Sequence, residues 1–355
     1  MLKVGTVFSG IGAFEYSLKS LGIKHEILFA CDCGDRKIEI SDKEIDELNK
    51  LPYPNKTIEA EKIYDRCKKE NRIKETYLKN YNLKNGKWFS DIRFLDGKQF
   101  ANQIDIFVGG SPCQSFSLMG KRRGLEDTRG TLFYEYARLV KEIQPKVFIY
   151  ENVPGMLVHD KGQTWKTIQE VFDSLGYKIH WSVLDASNYG IPQARKRLFV
   201  VGFLNESDKV FKFPEAIKLE KDAKDFYEIN IPVKFYLKEK GFKFVTSPKN
   251  RGRAKINSNI IRTQKRNQQF NWNGDFVFEE LDKVSREVKE VAYVGVYNGK
   301  KGVARKLTPR ECHRLMGFGD DFIIDEHDVD AYKQSGNSIV VNVLSELVKE
   351  IMKVM

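Results

Sequence analysis

A strand, a glycine turn and a helix follow one another at the beginning of the chain, and the same alternation recurs further on. Residues 3–8 are apolar, residues 9–12 contain two glycines, and a helical pattern begins at Phe14. Further apolar runs lie at residues 26–30, 104–108 and 146–150, the last of them after an amphipathic helix at 132–143. Apolar strands separated by helices form parallel sheets that are covered on both faces. The sequence therefore predicts an α/β fold with a mostly parallel sheet.

The later part of the chain departs from this alternation. Residues 178–184 and 197–203 predict an antiparallel pair at the edge of the sheet, and beyond them the pattern becomes irregular. The last helix carries an apolar stripe, which predicts that it packs against the first lobe. We therefore predict a larger lobe of residues 1–203 plus 329–355, with a charged, helix-like insertion at 35–86, and a smaller lobe of residues 204–328.

The chain is strongly basic, with 60 Lys and Arg against 49 Asp and Glu and a formal charge of +11. Residues 241–274 contain eight of the basic residues and no acidic residue. A surplus of this kind favours an anionic partner, with nucleic acid as the first candidate and an acidic membrane surface as the second. The smaller lobe is therefore the better candidate for the electrostatic contact.

The apolar pattern and the cysteines favour a cytoplasmic protein. No run approaches the roughly 18 apolar residues of a membrane span, and the first residues do not have the pattern of a secretory signal. The five cysteines are odd in number and scattered, which suits a reducing compartment. Cys31 and Cys33 have no second pair of ligands at the spacing of a zinc site, so we expect no metal.

Two segments at the ends of early strands are candidates for binding a nucleotide-like ligand. Gly10 and Gly12 would let such a ligand approach the backbone, although glycines there serve about equally often as a plain tight turn. Asp32 follows the second strand, where a carboxylate can accept hydrogen bonds from a ribose diol or can be a solvated loop acid. Both segments are expected at the same edge of the sheet, because the carboxyl ends of parallel strands meet there.

Other strand ends carry residues suited to covalent catalysis. Cys113 lies in a stiff loop after the third strand, although an isolated cysteine is more often a small buried residue. Glu151 ends the fourth strand at the same edge, although a lone glutamate there is commonly a surface acid. Alternation would place Arg195 and Arg197 on one face of a later edge strand, where basic residues also deter aggregation.

Five short motifs stand in order along the chain: Phe8 to Gly12, Ser111-Pro112-Cys113-Gln114, Glu151-Asn152-Val153, Gln193-Ala194-Arg195-Lys196-Arg197 and Gln334-Ser335-Gly336-Asn337-Ser338. Together they resemble the motifs of DNA (cytosine-5)-methyltransferases of the prokaryotic or phage type. Residues 307–312 are also similar to a block of that family. The order and spacing of the motifs are far more specific than any single motif. The resemblance runs from residue 4 to about residue 345 and leaves out the insertion and the basic segment.

The resemblance implies a Rossmann-like methyltransferase fold that binds S-adenosylmethionine, together with a smaller target-recognition domain. Thr6 stands where the family often has an acid, and Ala13 stands where a further glycine is common. The residues implied to bind the cofactor are Phe8, Ser9, Gly10, Gly12, Asp32, Asp91, Ile92, Gly110, Pro112, Leu132, Asn337 and Ser338.

The resemblance also implies a reaction, in which Cys113 attacks carbon 6 of a flipped-out cytosine. Glu151 is implied to act at ring nitrogen 3, and Arg195 and Arg197 to stabilise charge near the carbonyl and the thiolate. Carbon 5 becomes electron-rich and accepts the methyl group, which leaves S-adenosylhomocysteine as the other product. The catalytic residues implied are therefore Cys113, Glu151, Arg195 and Arg197.

Double-stranded DNA is the expected partner of a monomeric enzyme, and a restriction endonuclease that acts separately is a second partner to consider. Glycines on either side of three cations just after Cys113 predict a lid that closes over phosphate. The residues expected to contact DNA are Lys121, Arg122, Arg123, Arg251, Arg253, Lys255, Arg262, Lys265 and Arg266.

Two alternative functions use the same fold. An RNA cytosine methyltransferase could apply the same nucleophile and carboxylate to a flipped base in tRNA, and the basic segment argues only weakly against it. A noncatalytic DNA-binding regulator would have no need of Cys113, Glu151, Arg195 and Arg197, which this chain retains. The sequence does not reveal which DNA site is recognised, because base-edge contacts depend on geometry.

Overall fold

The structure is a computed structural model that describes residues 1–36, 38, 40–111, 132–205, 210–267, 269–270 and 272–355. The strands within these residues are β1 (Leu2–Val7), β2 (His25–Cys31), β3 (Trp88–Phe89), β4 (Ile106–Gly109), β5 (Val147–Asn152), β6 (Lys178–Asp185), β7 (Gln193–Ala194), β8 (Lys196–Phe203), β9 (Ala254–Ile256), β10 (Ile261–Arg262), β11 (Gly274–Glu280), β12 (Gly295–Tyr297) and β13 (Lys300–Lys306). The helices are α1 (Ala13–Ser20), α2 (Asp42–Lys50), α3 (Asn55–Asp65), α4 (Arg72–Asn80), α5 (Leu132–Ile143), α6 (Gln163–Ser174), α7 (Glu239–Thr246), α8 (Arg286–Val291), α9 (Pro309–Arg314), α10 (Asp328–Asn337) and α11 (Val341–Val354).

A seven-stranded sheet with the order β3-β2-β1-β4-β5-β8-β6 forms the centre of the larger part of the chain. Strands β1 to β5 pair in parallel, and β8 runs antiparallel to β5. The predicted mostly parallel α/β sheet is therefore confirmed. The two late strands expected at its edge are also neighbours, and β6 is the outermost strand on that side.

The order of the strands reverses at β1. From β1 the chain passes to β2 and β3 on one side of the sheet, and then to β4 and β5 on the other side. All five strands point the same way, so their carboxyl ends lie along one edge. In open α/β sheets a ligand crevice forms at such a reversal, because the loops after the two central strands diverge there. The loops after β1 and β4 are therefore the ones that such a crevice would use.

Aromatic side chains of the central strands pack against those of the helices that cover the sheet. Helix α5 has the bounds that its apolar periodicity predicted, and its Tyr136 stacks on Phe107 of β4, with ring centroids 5.0 Å apart. On the same core, Phe148 of β5 packs against Phe172 of α6 at 4.5 Å. Burying each such side chain contributes roughly 1.5–3 kcal/mol, so strand ends on this core are held firmly.

The chain divides into two compact units, each built from several stretches of sequence. The first unit contains Met1–Leu184, Lys196–Pro214 and Leu344–Met355, and the second contains Asp185–Arg195 and Glu215–Val343. The boundaries expected from the sequence lie at residues 203 and 329 instead. Residues 185–195 belong to the second unit because β7 pairs in parallel with β10, and α10 belongs there because Tyr332 donates a hydrogen bond to Leu307 O of that unit.

The second unit has its own sheet, with the order β12-β13-β11-β9. Arg305 on β13 is almost fully buried, and its guanidinium pairs with Glu311 of α9 at 2.8 Å and with Glu279 of β11 at 2.7 Å. Two carboxylates around one guanidinium compensate for its desolvation, so this ion-pair group ties α9 to the sheet. No helix in the part of the chain described here is long and apolar enough to cross a membrane.

Candidate functional site

The glycine turn after β1 depends on backbone angles that favour glycine. Phe8, Gly10 and Gly12 all have positive φ values, of 52°, 54° and 80°. A Cβ at Gly12 would collide with the ring of Tyr81, whereas a Cβ at Gly10 would meet nothing within 4 Å. Ser9 fastens the turn to β2, because its hydroxyl accepts a hydrogen bond from Cys31 N at 3.0 Å. The turn is therefore packed on the Gly12 side and open at Gly10.

Asp32 links the end of β2 to this turn. Its Oδ2 accepts a hydrogen bond from Gly10 N at 2.9 Å, and its Oδ1 accepts one from Gly34 N at 2.8 Å. Burial raises the pKa of this carboxyl, and the two backbone hydrogen bonds oppose that shift. Each oxygen keeps a second acceptor position, so the carboxylate can still receive both hydroxyls of a diol.

Asp91 and Ile92 follow the short strand β3 at the same edge. Tyr64 donates a hydrogen bond to Asp91 Oδ2 at 2.8 Å, and Arg93 pairs with the same oxygen at 2.7 Å. Ile92 is buried beside them. Tyr64 belongs to α3 in the insertion, which contains none of the five sequence motifs.

The carboxylate of Glu151 and the guanidinium of Arg197 form an ion pair in the first unit, with Arg197 Nε 3.0 Å from Glu151 Oε1. The side chains are 15% and 19% exposed, so both are accessible from solvent yet largely enclosed. Gly110 lies directly against this pair, because an added Cβ would approach Glu151 O at 2.7 Å and Oε2 at 3.0 Å. A glycine is therefore required where the β4 loop passes the glutamate.

Buried polar contacts hold Ser111, which follows β4 and is the last described residue before Cys113. Asn152 donates a hydrogen bond from Nδ2 to Ser111 O at 2.9 Å, and the hydroxyls of Ser111 and Tyr150 lie 2.6 Å apart. Asn152, next to Glu151, thus anchors the peptide at Ser111, two residues before Cys113 in the sequence. Other residues predicted for the site lie outside the described residues: Pro112, Cys113, Lys121, Arg122 and Arg123.

Arg195 is placed differently from the expected position. The sequence predicted one edge strand with Arg195 and Arg197 on the same face, but the strand is interrupted at Arg195, whose N–H bonds back to Gln193 O at 2.9 Å. The side chain is 4% exposed, and its guanidinium donates to the carbonyls of Gln264, Gly336 and Ser338 at 2.9, 3.2 and 2.7 Å. The catalytic role of Arg195 stays a prediction.

The remaining predicted cofactor residues are divided between the units. Leu132 is the first residue of α5 in the first unit and packs against its aromatic core. Asn337 ends α10 and Ser338 follows it, so both belong to the second unit. The expected cofactor contacts of these three residues stay predictions. The sequence motifs included Gln193 but not its partner Gln264, whose backbone N–H donates a buried hydrogen bond to Gln193 Oε1 at 2.9 Å.

The predicted DNA-contacting residues of the second unit differ in whether their side chains face the protein or the solvent. The guanidinium of Arg262 is turned toward the protein: it donates to Gly252 O at 2.9 Å and to Arg253 O at 2.7 Å, and it pairs with the buried Asp275. Its predicted DNA contact therefore competes with a role in holding the loop. The predicted DNA-contacting residues that are exposed are Arg251, Arg253, Lys255, Lys265 and Arg266.

A pocket of about 460 Å³ opens in the same basic segment of the second unit. The guanidinium of Arg253 lies 5.1 Å from the ring centroid of Phe244, and that ring packs against Trp272 at 5.3 Å. Phe270 and Asn273 complete the lining. Aromatic faces next to a cation are the surfaces on which nucleobases stack.

Comparison with known proteins decides what this arrangement of motifs represents. The family model for C-5 cytosine-specific DNA methylases matches residues 2–353. The chain belongs to the C-5 cytosine-specific DNA methylase family. The resemblance found in the sequence is thereby confirmed.

Among relatives in this family, the type II methyltransferase M.HpaII of Haemophilus parainfluenzae is 35% identical over 75% of this chain and 76% of its own length. The type II methyltransferase M1.ScrFI of Lactococcus lactis subsp. cremoris is 34% identical over 75% of this chain, and the match spans 66% of that relative's length. The crystal structure of the Dnmt2 methyltransferase of S. pombe covers 99% of both chains with a TM-score of 0.66 and 19% identity, which shows the shared fold.

Proposed function

We propose that this methylase transfers a methyl group from S-adenosylmethionine to carbon 5 of cytosine at a specific site in duplex DNA, within a restriction-modification or phage modification system. The observation that carries the proposal is the Glu151–Arg197 pair against Gly110, at the carboxyl end of a parallel strand. An acid held by a cation next to a glycine-lined loop suits proton exchange with a planar base.

The residues around the turn after β1 fit the cofactor. The open side of Gly10 leaves space for a ligand, and the free acceptor positions of Asp32 suit the two ribose hydroxyls. Asp91 and Ile92 would hold the adenine, with Phe8 and Leu132 against the apolar parts of the ligand. When bound, S-adenosylmethionine supplies an electrophilic methyl group.

The reaction needs electron density at carbon 5 of cytosine, which an aromatic pyrimidine does not supply. Cys113 as thiolate would form a bond to carbon 6, and the electron pair of the 5,6 double bond would move to carbon 5 as Glu151 delivers a proton to nitrogen 3. Arg197 would keep Glu151 oriented and stabilise charge at the carbonyl. With the methyl group in place, the carbon 5 proton would pass to solvent, the thiolate would leave carbon 6 and the nitrogen 3 proton would return to Glu151, which restores the ring.

Two features support duplex DNA as the substrate: the need to flip the target base and the basic surface of the second unit. Carbon 5 cannot be reached inside the stack, so the target base must rotate out at a cost of a few kcal/mol. The exposed cations of the basic segment would bind phosphates, which makes the affinity fall steeply with salt. We expect a monomer that acts without its restriction endonuclease.

A covalent trap tests the proposal. Duplex DNA containing 5-fluorocytosine at the target site, incubated with S-adenosylmethionine, should form an adduct that is stable to denaturation, because fluorine blocks the loss from carbon 5. The target site is found first by bisulfite sequencing of DNA from cells that express the protein. Cys113→Ser should form no adduct, whereas Cys67→Ser, which removes another free thiol, should form it normally.

The outcomes separate the alternatives. Adducts and labelled methyl groups on tRNA but not on DNA would favour the RNA methyltransferase. Binding to DNA without any methyl transfer, and with the same cellular effect from Cys113→Ser, would favour the noncatalytic regulator. An adduct that persists in Cys113→Ser would overturn the proposed nucleophile.

A further inference from the structure

One face of α3 in the insertion lies against residues 90–94, the segment that contains Asp91 and Ile92. Thr57 donates a hydrogen bond to Phe94 O at 2.7 Å. Glu61 accepts hydrogen bonds from Ser90 N at 2.6 Å and from Ser90 Oγ at 2.8 Å, and Tyr64 donates to Asp91 at 2.8 Å. Residues 57, 61 and 64 are spaced four and three apart, so they form one stripe on the helix. The whole stripe is therefore used to hold this segment.

A guanidinium completes the contact. Arg36 donates to Ser90 Oγ at 2.9 Å and to Tyr64 O at 3.1 Å, and it lies 5.0 Å from the centroid of the Tyr64 ring. Burial and the neighbouring Asp91 carboxylate raise the pKa of the Tyr64 hydroxyl far above its usual range, so that hydroxyl stays a donor. Burial also raises the pKa of Glu61, and the two bonds from Ser90 oppose that shift. The carboxylate of Asp91 is thus held by Tyr64 from the insertion side and by the guanidinium of Arg93, which donates to both of its oxygens.

Packing a helix through polar contacts of this kind costs desolvation free energy. Ala60 and Ile63 of α3 already pack in an apolar cluster with Phe94, so burying the helix does not require the polar stripe. Its polar side chains stabilise the fold little and fix orientation instead. A second helix secures the same segment, because Arg138 of α5 donates to Ile92 O at 2.8 Å and to Leu95 O at 3.1 Å. Such orientation control is useful where the segment must present a carboxylate and a carbonyl to a ligand.

We propose that α3 supports the cofactor site. Tyr64 and Glu61 act as positioning residues that orient Asp91 toward the exocyclic amine of the adenine. This rests on the proposed function, which assigns residues 91 and 92 to the adenine. Neither positioning residue needs to touch the cofactor, because each acts through residues 90–91.

The test compares two tyrosines that each lose one hydroxyl. Tyr64→Phe removes the bond to Asp91, and the matched control Tyr177→Phe removes a buried 2.8 Å bond to Pro145 O, just before β5 and at the opposite edge of the sheet. The dissociation constant for S-adenosylhomocysteine is measured by calorimetry, and KM and kcat for S-adenosylmethionine are measured on duplex DNA. Tyr64→Phe should raise the dissociation constant and KM about fivefold, with kcat changed less than about twofold, as expected for one hydrogen bond. Tyr177→Phe should leave all three values unchanged.

A nucleoside without the amine separates orientation from general support. S-inosylhomocysteine carries an oxo group in place of the amine, so the fivefold penalty of Tyr64→Phe should disappear with this ligand. An equal penalty for both ligands, or no penalty beyond that of Tyr177→Phe, would overturn the proposal. If Tyr64→Phe does not fold, Glu61→Gln, which keeps the volume and one acceptor oxygen, is used for the same comparison. Failure of the unaltered protein to bind S-adenosylhomocysteine would instead contradict the proposed function.

Discussion

Substitution by lysine should have different effects at the two arginines of the motif at residues 193–197. Arg195→Lys should mainly lower stability, and Arg197→Lys should mainly lower kcat. Arg195→Lys replaces a guanidinium that donates to three backbone carbonyls with an ammonium that can reach one of them at that depth. Two buried charge-assisted hydrogen bonds are lost at roughly 1.5 kcal/mol each, so we expect the second unit to lose about 3 kcal/mol. For a unit of this size that corresponds to a midpoint lowered by about 10 °C.

Arg197→Lys is the matched control. Arg197 is part of a partly exposed pair with Glu151, so its replacement should cost about 1 kcal/mol or less in stability. We expect its kcat for methyl transfer to fall about tenfold or more, because an ammonium cannot hold the carboxylate and the base together.

Thermal and urea unfolding of both variants, with single-turnover methylation of a duplex, separate the two effects. Arg195→Lys should also weaken DNA binding, because Gln264 precedes Lys265 and Arg266 and its carbonyl is one of the three acceptors. The reasoning is refuted if Arg195→Lys is as stable as the unaltered protein and loses only kcat, since its three carbonyl contacts would then carry no stability.

Three further predictions concern other parts of the molecule. Gly110→Ala should lower kcat about a hundredfold or more, because the new Cβ displaces Glu151; single-turnover rates check this. Burial lowers the pKa of His313 from 6.5 to about 4, and Nε2 has no partner among the described residues, so the unfolded chain binds the proton more readily. Stability should therefore fall by about 3 kcal/mol as the pH drops from 6.5 to 4, and His313→Gln should flatten that part of a urea-unfolding profile. Trp272→Ala should weaken DNA binding by about 1–3 kcal/mol if its pocket stacks a base, with unchanged affinity for S-adenosylhomocysteine, as measured by fluorescence anisotropy and calorimetry.

Local patterns predicted the regular elements of the first unit well. Strand β1 and helix α5 have apolar periodicities that fit one structure only, and the structure contains both close to the expected bounds. Residues 185–195 show where local patterns are insufficient. The sequence predicts them to be mainly the turn between two strands of the first unit, yet β7 within them pairs with β10, which lies nearly seventy residues later. Pairing with a distant strand leaves no trace in a local pattern.

In the candidate site, too, the sequence identified residues but not their contacts. Glycines and acids at strand ends identified Gly10, Asp32, Gly110 and Glu151 from the sequence, because a parallel sheet brings its carboxyl ends together. The partners of these side chains were not identified. Tyr64 lies in an insertion that carries no motif, and its spacing to Asp91 follows only from the packing of α3.

The sequence by itself determined the family and the mostly parallel sheet, and it predicted which groups react, because those depend on residue type, order and the period of burial along the chain. The tertiary structure alone decided which carboxylate faces which cation, that Arg195 is enclosed by backbone carbonyls while Arg197 meets Glu151, and where the two units divide. The physical reason is the separation along the chain over which each effect acts. Periodicity acts between neighbours in sequence, whereas hydrogen bonds select partners by distances of about 3 Å between atoms that can be over a hundred residues apart.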